Sequence, residues 1–446
     1  MKKRLTAVIM TAILGTSLLQ PTVKVFAEEL RLQELNVREG YVDVPDVSLK
    51  KAMNKAIGQK ENDDIPKWKL EKLTELYAMF TDISNLEGIQ YCTNLKELNL
   101  QDNKISDINL LKNLKKLRTL FLNVNQIEDI SALSELSNLR ELYLGGNKIS
   151  NIYPLRNLKR LQDLSLGNLL VKDIKPLEEL DSLKYLDLYE NKIDNLEVIR
   201  NIKGLLSIDL SENGLKDINV LKGLKNLEWI RVSYNEIEDL TPIEDIKDLK
   251  GLDIGNNKIK DISVLNKFST LELLHMSNNN VADISALADL YELKRVKLDN
   301  QQITLENKEV NGRLILENPV KSINGYEEAK NLSNDGQAIK ANKYLTWNSI
   351  KNNNINNLSF NFKEELNING EQVTFSGKVV QPVEFNANAL RVEDINKDKS
   401  IDINDLANLG IHYNKKDIDE NWNEDCDLNK DGIIDIFDLV IVSKSI

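Results

Sequence analysis

Two stretches near the C-terminus hold the residues best suited to chemistry in this chain. Asp394-Ile-Asn396-Lys-Asp398-Lys-Ser400-Ile-Asp402-Ile-Asn-Asp405 is followed by a second copy with the same spacing, Asp427-Leu-Asn429-Lys-Asp431-Gly-Ile433-Ile-Asp435-Ile-Phe-Asp438. In each, side-chain oxygens fall at loop positions 1, 3, 5, 9 and 12, and position 7 (Ser400 or Ile433) can offer its backbone carbonyl. A hard cation that takes roughly six to eight oxygen ligands requires such a set. Magnesium fits less well, because it prefers a rigid octahedron and keeps its waters. Two in-register copies set the pattern apart from an ordinary acidic, solvated loop, so two bound Ca2+ ions are expected. The acidic ligands repel one another without metal, which makes folding of this module depend on calcium.

Catalysis is not expected. The chain has two histidines, His275 and His412, in different parts of the sequence and with no nucleophile motif beside either. His275 and Asp253 sit in neighbouring repeats and have the form of an acid–base pair, but a solvated polar contact accounts for them.

Each acidic loop leads into a helical stretch, Leu406 to Tyr413 and Leu439 to the C-terminus, and neither follows an obvious entering helix. Upstream, the dominant signal is a 22-residue self-similarity, kept without insertion over ten intervals. Leu98-Asn-Leu100, Asn103, Ile105, Asp107-Ile108, Leu111, Leu114 and Leu117 recur as Leu120, Leu122, Asn125, Ile127, Asp129-Ile130, Leu133, Leu136 and Leu139. The L-x-L pair reads as a short strand with two side chains pointing inward. The later leucines, three apart, suit a 3₁₀-like return. Asparagine recurs at 103, 125, 147, 191, 213, 235, 257 and 279, with one lapse at Leu169, where Asn168 lies beside the expected position. At the bend out of the strand its amide can satisfy backbone groups that would otherwise be buried unpaired, one amide per coil. No coil can bury its apolar face alone, so neighbours must stack. The pattern predicts an α/β leucine-rich-repeat solenoid with a parallel β concave face and a 3₁₀ or irregular convex face. Eleven coils run from Leu76 to Leu298, and a helix over Asp46 to Gly58 caps the N-terminal end.

Residues flanking the strand leucines should line the concave face. Tyr77, Phe80, Phe121, Tyr143, Tyr185, Tyr189, Trp229 and Tyr234 gather there, eight of the twelve aromatics between residues 77 and 301. Aromatic enrichment on an exposed surface is what a protein-binding face needs. The same face carries Glu97, Asp102, Glu141, Asp163, Asp187, Glu190, Asp209, Glu212 and Asp253, against Arg231 and, near its end, Arg295 and Lys297. A basic protein target suits this acidic background. Ring stacking on sugars leaves a glycan as the alternative.

Charge and processing signals bound the rest. With 70 acidic and 58 basic residues the net charge is −12, which argues against a nucleic-acid partner. Cys92 falls at an apolar core position and Cys426 in the C-terminal module, so no disulfide is expected. Lys2, Lys3 and Arg4, the apolar run Leu5 to Leu19 and small residues at Val25 and Ala27 read as a signal peptide over 1–27. A mature chain starting near Glu28 would have no transmembrane segment and would be secreted.

The spacing L-x-x-L-x-L-x-x-N-x-I-x-D-I-x-x-L, with its helical cap, resembles the bacterial 22-residue repeats of the internalin family. Gln302-Ile-Thr, Glu317-Asn-Pro-Val320, Leu345-Thr-Trp347 and Thr374-Phe-Ser-Gly377-Lys-Val-Val-Gln-Pro-Val383 resemble the immunoglobulin-like domain that follows internalin repeats. The short alternating runs there suggest a small β-sandwich on their own account. The duplicated loop plus exiting helix, with Asp at position 12, is similar to a dockerin. That resemblance implies a cohesin-domain partner, met by loop positions 10 and 11, here Ile403-Asn404 and Ile436-Phe437. Lys399 replaces the turn glycine of the first loop, whereas Gly432 keeps it in the second, which implies a strained and weaker first site. The expected layout is signal peptide 1–27, cap 28–75, repeats 76–301, immunoglobulin-like domain 302–390 and dockerin 391–446. It reads as a monomeric, non-catalytic adapter or adhesin, extracellular or held non-covalently at a bacterial surface or extracellular complex. The alternative is a targeting or inhibitory subunit of a secreted cohesin–dockerin polysaccharide-degrading complex.

Overall fold

The structure, a computed structural model, describes residues 40–193, 195–350 and 354–446. The expected signal peptide lies outside them. The chain divides into two compact units, Met1–Leu183 and Lys184–Ile446.

The first unit opens with β1 (Tyr41–Val42) antiparallel to β2 (Ile65–Pro66), and α1 (Val47–Ala56) lies between them in sequence. One oxygen of Asp46 caps α1 at Ser48 and Leu49, while the other accepts from the Ser84 and Asn85 N–H groups of the first coil. Burial pushes this carboxyl up, yet the four backbone donors outweigh it and hold Asp46 below its ordinary value. After α2 (Lys67–Leu70) come five parallel strands: β3 (Glu75–Tyr77), β4 (Glu97–Asn99), β5 (Thr119–Phe121), β6 (Glu141–Tyr143) and β7 (Asp163–Ser165). Their register follows the repeat period, with Leu76, Leu98, Leu120, Leu142 and Leu164 as successive partners. The return segments are 3₁₀, because leucines three apart let each N–H reach back three residues. Leu111, Leu114 and Leu117 donate in this way to Ile108, Leu111 and Leu114. The repeated Asp107 and Asp129 cap these segments by accepting from Asn109 and Ser131.

The buried asparagines tie coil to coil. Asn125 donates to Leu122 O in its own coil and to Leu100 O in the preceding one, and its Oδ1 accepts from Ile105 N–H, all at 3.0 Å. At the lapse, Leu169 takes the buried slot and Asn168 is exposed.

The second unit repeats this plan with β8 (Tyr185–Asp187), β9 (Ser207–Asp209), β10 (Trp229–Arg231), β11 (Gly251–Asp253) and β12 (Leu273–His275). Then β13 (Arg295–Thr304) pairs with β12 through Lys297 and continues past the expected junction at 301. Gln301 stands where the ladder asparagine would be. It bridges the carbonyls of Met276 and Leu298 and the N–H of Val281 with a side chain one methylene longer. This ladder member was missed by a search for asparagine alone.

Beyond the repeats lie β14 (Lys308–Val310), β15 (Gly312–Glu317), β16 (Lys321–Ser322), β17 (Gly325–Tyr326), β18 (Gln337–Ile339), β19 (Tyr344–Ile350), β20 (Asn357–Ile368) and β21 (Glu371–Phe385). β21 is antiparallel to β20 and parallel to both β13 and β14, which continues the repeat sheet into this domain. A separate sheet has the order β15-β19-β18. Trp347 is buried and donates to Ser333 O, and the Phe362 and Phe375 rings lie 4.8 Å apart.

Here Glu327 is buried against Glu364. Burial and this hydrogen bond push the Glu327 carboxyl up to about 7, whereas Glu364 is held low despite burial by hydrogen bonds from Glu327, Asn324 and Ser322. The stability Glu327 contributes is complete below its ordinary value of 4.5 and is lost as pH rises through about 7. Glu327→Gln retains a donor for Glu364 and removes the titration. Its unfolding midpoint is expected to fall less steeply than wild type between about pH 5 and about pH 8; an unchanged slope would rule this pair out as the cause.

Asn125→Ala leaves buried backbone groups unpaired and is expected to cost at least about 2 kcal/mol in urea denaturation. A loss below about 0.5 kcal/mol, the range of a neutral surface change, would remove the ladder from the account.

Candidate functional site

The strand pattern sends the middle residue of each three-residue strand into the core and its neighbours outward. Of the eight aromatics expected on the concave face, four in each unit, none is fully buried. In the first unit Tyr77 and Phe80 are exposed, while Phe121 and Tyr143 stack with centroids 4.5 Å apart and planes 3° apart. Tyr143 donates its hydroxyl to Asp163 at 2.7 Å; burial, then this carboxylate, pushes the phenol well above its ordinary value. In the second unit Tyr185, Trp229 and Tyr234 are exposed and Tyr189 is half-buried. The Tyr189 phenol is pushed up to about 12, chiefly by its hydrogen bond to Glu190.

Several of these side chains leave the backbone from left-handed positions. Phe80 has φ 58° and Tyr234 has φ 56°, and Asp102, Val124, Asn168, Glu190, Glu212, Asn256 and Asn278 occupy the same slot of their coils. A non-glycine residue there is costly, yet the turn must reverse in one residue so that the next side chain, the ladder amide, points inward. The sequence held a signal for it: Gly146, Asn168, Asn256 and Asn278 recur at this position, and glycine and asparagine tolerate the conformation best.

His275 Nδ1 lies 3.1 Å from Asp253 Oδ1. The surrounding cavity, about 490 Å³, is lined by Trp229, Arg231, Gly251, Asp253, Arg295, Lys297 and Glu371 among others, and no serine, threonine or cysteine lines it. The pair is a polar contact on an open face.

In the C-terminal module the two loops share one hydrogen-bond frame. Asp394 accepts from the N–H groups of Asp398 and Lys399, and Asp427 from those of Asp431 and Gly432. Asp405 accepts from Asn396 and Asp402, and Asp438 from Leu428, Asn429 and Asp435. Asp402 and Asp435 are N-caps of α3 (Ile403–Ile411) and α4 (Ile436–Ser443), each completing a capping box with the aspartate three residues on. The helices thus begin three residues before the Leu406 and Leu439 expected from the sequence, because position 9 of each loop doubles as a cap. Ile395, Leu409, Cys426, Leu428, Ile434 and Val442 form the core beneath them. Both cysteines are free and buried; burial pushes the thiols up, to about 12 for Cys92 and about 11 for Cys426.

Asp394, Asp405, Asp427 and Asp438 are all buried, and among the described residues none forms an ion pair with a basic side chain. Burial pushes Asp427 and Asp438 up despite their backbone donors. Lys430 attracts Asp427 and Arg313 attracts Asp438 without ion-pairing, so the burial of the four carboxylates is only partly offset, which a bound cation would fit. Among the described residues, no three Asp, Glu, His or Cys side chains close on one point as a metal-holding group. Asn396 and Asn429 donate their side-chain amides to Asp398 and Asp431, at 2.8 and 2.9 Å. Ile403, Asn404, Ile436 and Phe437 are all exposed on the first turns of α3 and α4.

A parallel-stranded repeat array with 3₁₀ returns and an aromatic outer face defines a leucine-rich-repeat protein of the protein-binding class. The family of leucine-rich repeats in two copies matches residues 93–135, 137–179 and 225–267, and the family of LRR-adjacent domains matches 329–384. The crystal structure of an internalin, inlF, from Listeria monocytogenes is similar to this chain at 37% identity and TM-score 0.55, over 60% of this chain and 78% of that one. Internalin C2 of the same organism matches at 29% identity and TM-score 0.36, over 59% of this chain and 96% of its own. No curated protein matches. The chain belongs to the internalin family.

Lys399, at φ 73°, sits where the second loop has Gly432 at φ 87°. Lys399→Gly is expected to stabilise the C-terminal module by about 1 kcal/mol in urea, and Gly432→Lys to destabilise it. A neutral Lys399→Gly would show the first loop bears no backbone strain.

Proposed function

We propose that this internalin-family chain is a secreted, non-catalytic adapter or adhesin. The repeat face binds a protein target, and the C-terminal module acts as a dockerin that attaches the chain to a cohesin-bearing partner through two Ca2+ ions. The observation that carries the first half is the set of outward aromatics, which form a contact surface at low entropic cost. Support for the second half comes from the repeated loop frame with its four buried carboxylates, none of them in an ion pair among the described residues. If calcium binds, Asp394, Asn396, Asp398, Ser400, Asp402 and Asp405 would hold one ion, and Asp427, Asn429, Asp431, Ile433 (through its carbonyl), Asp435 and Asp438 the other. The metal would offset the remaining negative charge.

The strands between 302 and 390, in three sheets with Trp347 buried among the strands' core residues, support an immunoglobulin-like reading of that segment. Among the described residues no helix is long and apolar enough to cross a membrane. Export rests on the sequence of residues 1–27. Attachment to a bacterial surface or to an extracellular complex would follow from the cohesin partner, whose contacts would be Ile403, Asn404, Ile436 and Phe437.

Capture of partners by the full chain, with calcium and with a chelator, tests both halves. Cohesin-type partners should be lost on chelation, and target proteins should be lost in Tyr185→Ala/Tyr234→Ala but survive chelation. Chelation should also make residues 392–446 protease-sensitive while the repeats keep their far-ultraviolet signal. A C-terminal module indifferent to chelator would sink the dockerin reading. Glycan binding that vanishes in the tyrosine variant, with no protein captured, would sink the protein-target reading.

A further inference from the structure

Within the second unit the outer face changes sign. Asp187, Glu190, Asp209 and Glu212 belong to its first two coils, whereas Arg231, His275, Arg295 and Lys297 gather around the cavity described above. The strand register sorts this region into two rows. One row, across β10 to β13, is Trp229, Gly251, Leu273 and Arg295; the other is Arg231, Asp253, His275 and Lys297.

The first row contains a built platform. Any Cβ on Gly251 would lie 2.1 Å from Cε3 of Trp229, so the indole lies over the glycine where other coils carry a side chain. It remains 37% exposed, and half-buried Leu273 extends the apolar floor toward β13.

Two members of the second row already have acidic partners. Arg231 lies 3.8 Å from Asp209, and His275 lies 3.1 Å from Asp253. Arg295 and Lys297 are exposed, and among the described residues neither forms an ion pair. They stand two residues apart on one side of a strand, about 6.6 Å from each other along the chain.

We infer that this end of the repeat face is a subsite for an extended acidic segment of a protein partner. Two carboxylates at alternate residues meet Arg295 and Lys297, and an apolar side chain covers Trp229 and Leu273. The inference rests on the protein-binding reading of the face and adds a position and a chemistry to it. Alternate residues of an extended chain repeat at the same spacing as the two cations, and a guanidinium engages a carboxylate by donating two parallel hydrogen bonds. A sugar with a single carboxylate would engage only one of the pair. Asp253 and Glu371 line the same cavity, so an anionic ligand must place its charges over Arg295 and Lys297 and neutral groups elsewhere, which a peptide with two spaced carboxylates can do.

Titration calorimetry on the full chain tests this with three probes. They are the peptide acetyl-Gly-Phe-Ser-Asp-Ser-Asp-Gly-amide, whose Phe and two aspartates share one face when extended, its counterpart with both aspartates as asparagine, and sialyllactose. The acidic peptide should bind, weaken as salt rises from about 0.05 to about 0.3 M, and lose about ten-fold or more in Arg295→Gln/Lys297→Gln. The asparagine peptide should bind at least about ten-fold more weakly to the unmodified chain, a comparison that needs no variant. Equal binding of the two peptides, no binding of the acidic one, or insensitivity to the double variant would overturn the subsite. So would sialyllactose binding that depends on Arg295 and Lys297 while the peptide fails. If protein capture still depends on Tyr185 and Tyr234 when the acidic peptide fails, the subsite falls and the protein-binding reading stands. If the peptide binds as expected and no protein is captured, the reverse holds.

Discussion

The repeat fold depends on a side-chain amide at the same bend of nearly every coil, with Thr81 and Leu169 the exceptions. Each coil must turn out of its strand with carbonyls and an N–H facing the core, where no water reaches. The asparagine side chain supplies two donors and an acceptor at that spot, and it spends them on two consecutive coils: Asn235 binds Leu210 and Val232 carbonyls and the Leu215 N–H. Each amide satisfies its own bend and holds its neighbour in register. The leucines supply most of the buried area, but they are not directional; the amides fix which coil lies against which. Gln301 shows that the requirement is for the amide group rather than for asparagine, since a longer side chain meets the same partners where β13 enters the next domain.

The same economy governs the C-terminal loops, with carboxylates in place of amides. Each aspartate at position 1 or 12 binds backbone N–H groups across its loop. Lys430 and Arg313 offset only part of the negative charge gathered there. A bound cation would offset the rest and so hold the loop together. Loop position 9 also starts a helix, which would join cation binding to the orientation of the exposed Ile403-Asn404 and Ile436-Phe437 pairs.

Much of this was legible in the sequence because it is periodic. The period, the inward leucines, the 3₁₀ returns and the outward aromatics follow from residue type and spacing, and the structure places them as read. The cap was equally plain, since Asp46, the apolar spacing and Gly58 mark a short helix unaided. The helix starts after the acidic loops were less plain. Ile403 and Ile436 are apolar residues directly after a loop, and only the capping boxes of Asp402 and Asp435 show that they belong to the helices.

What the sequence determined by itself was the repeat, its face and its loops, because local spacing forces them whatever lies elsewhere in the chain. What only the tertiary structure decided was how residues one or more coils apart combine. The left-handed slot that carries Tyr234 turns the chain so that the following amide, Asn235, reaches the coil before it. The indole of Trp229 lies over Gly251 because a glycine at the same position of the next coil leaves it room. Among the described residues Arg295 and Lys297 form no ion pair, while Asp209 and Asp253 lie against Arg231 and His275. Each depends on which side chain sits across a strand, about 4.8 Å away in space and one full coil away in sequence.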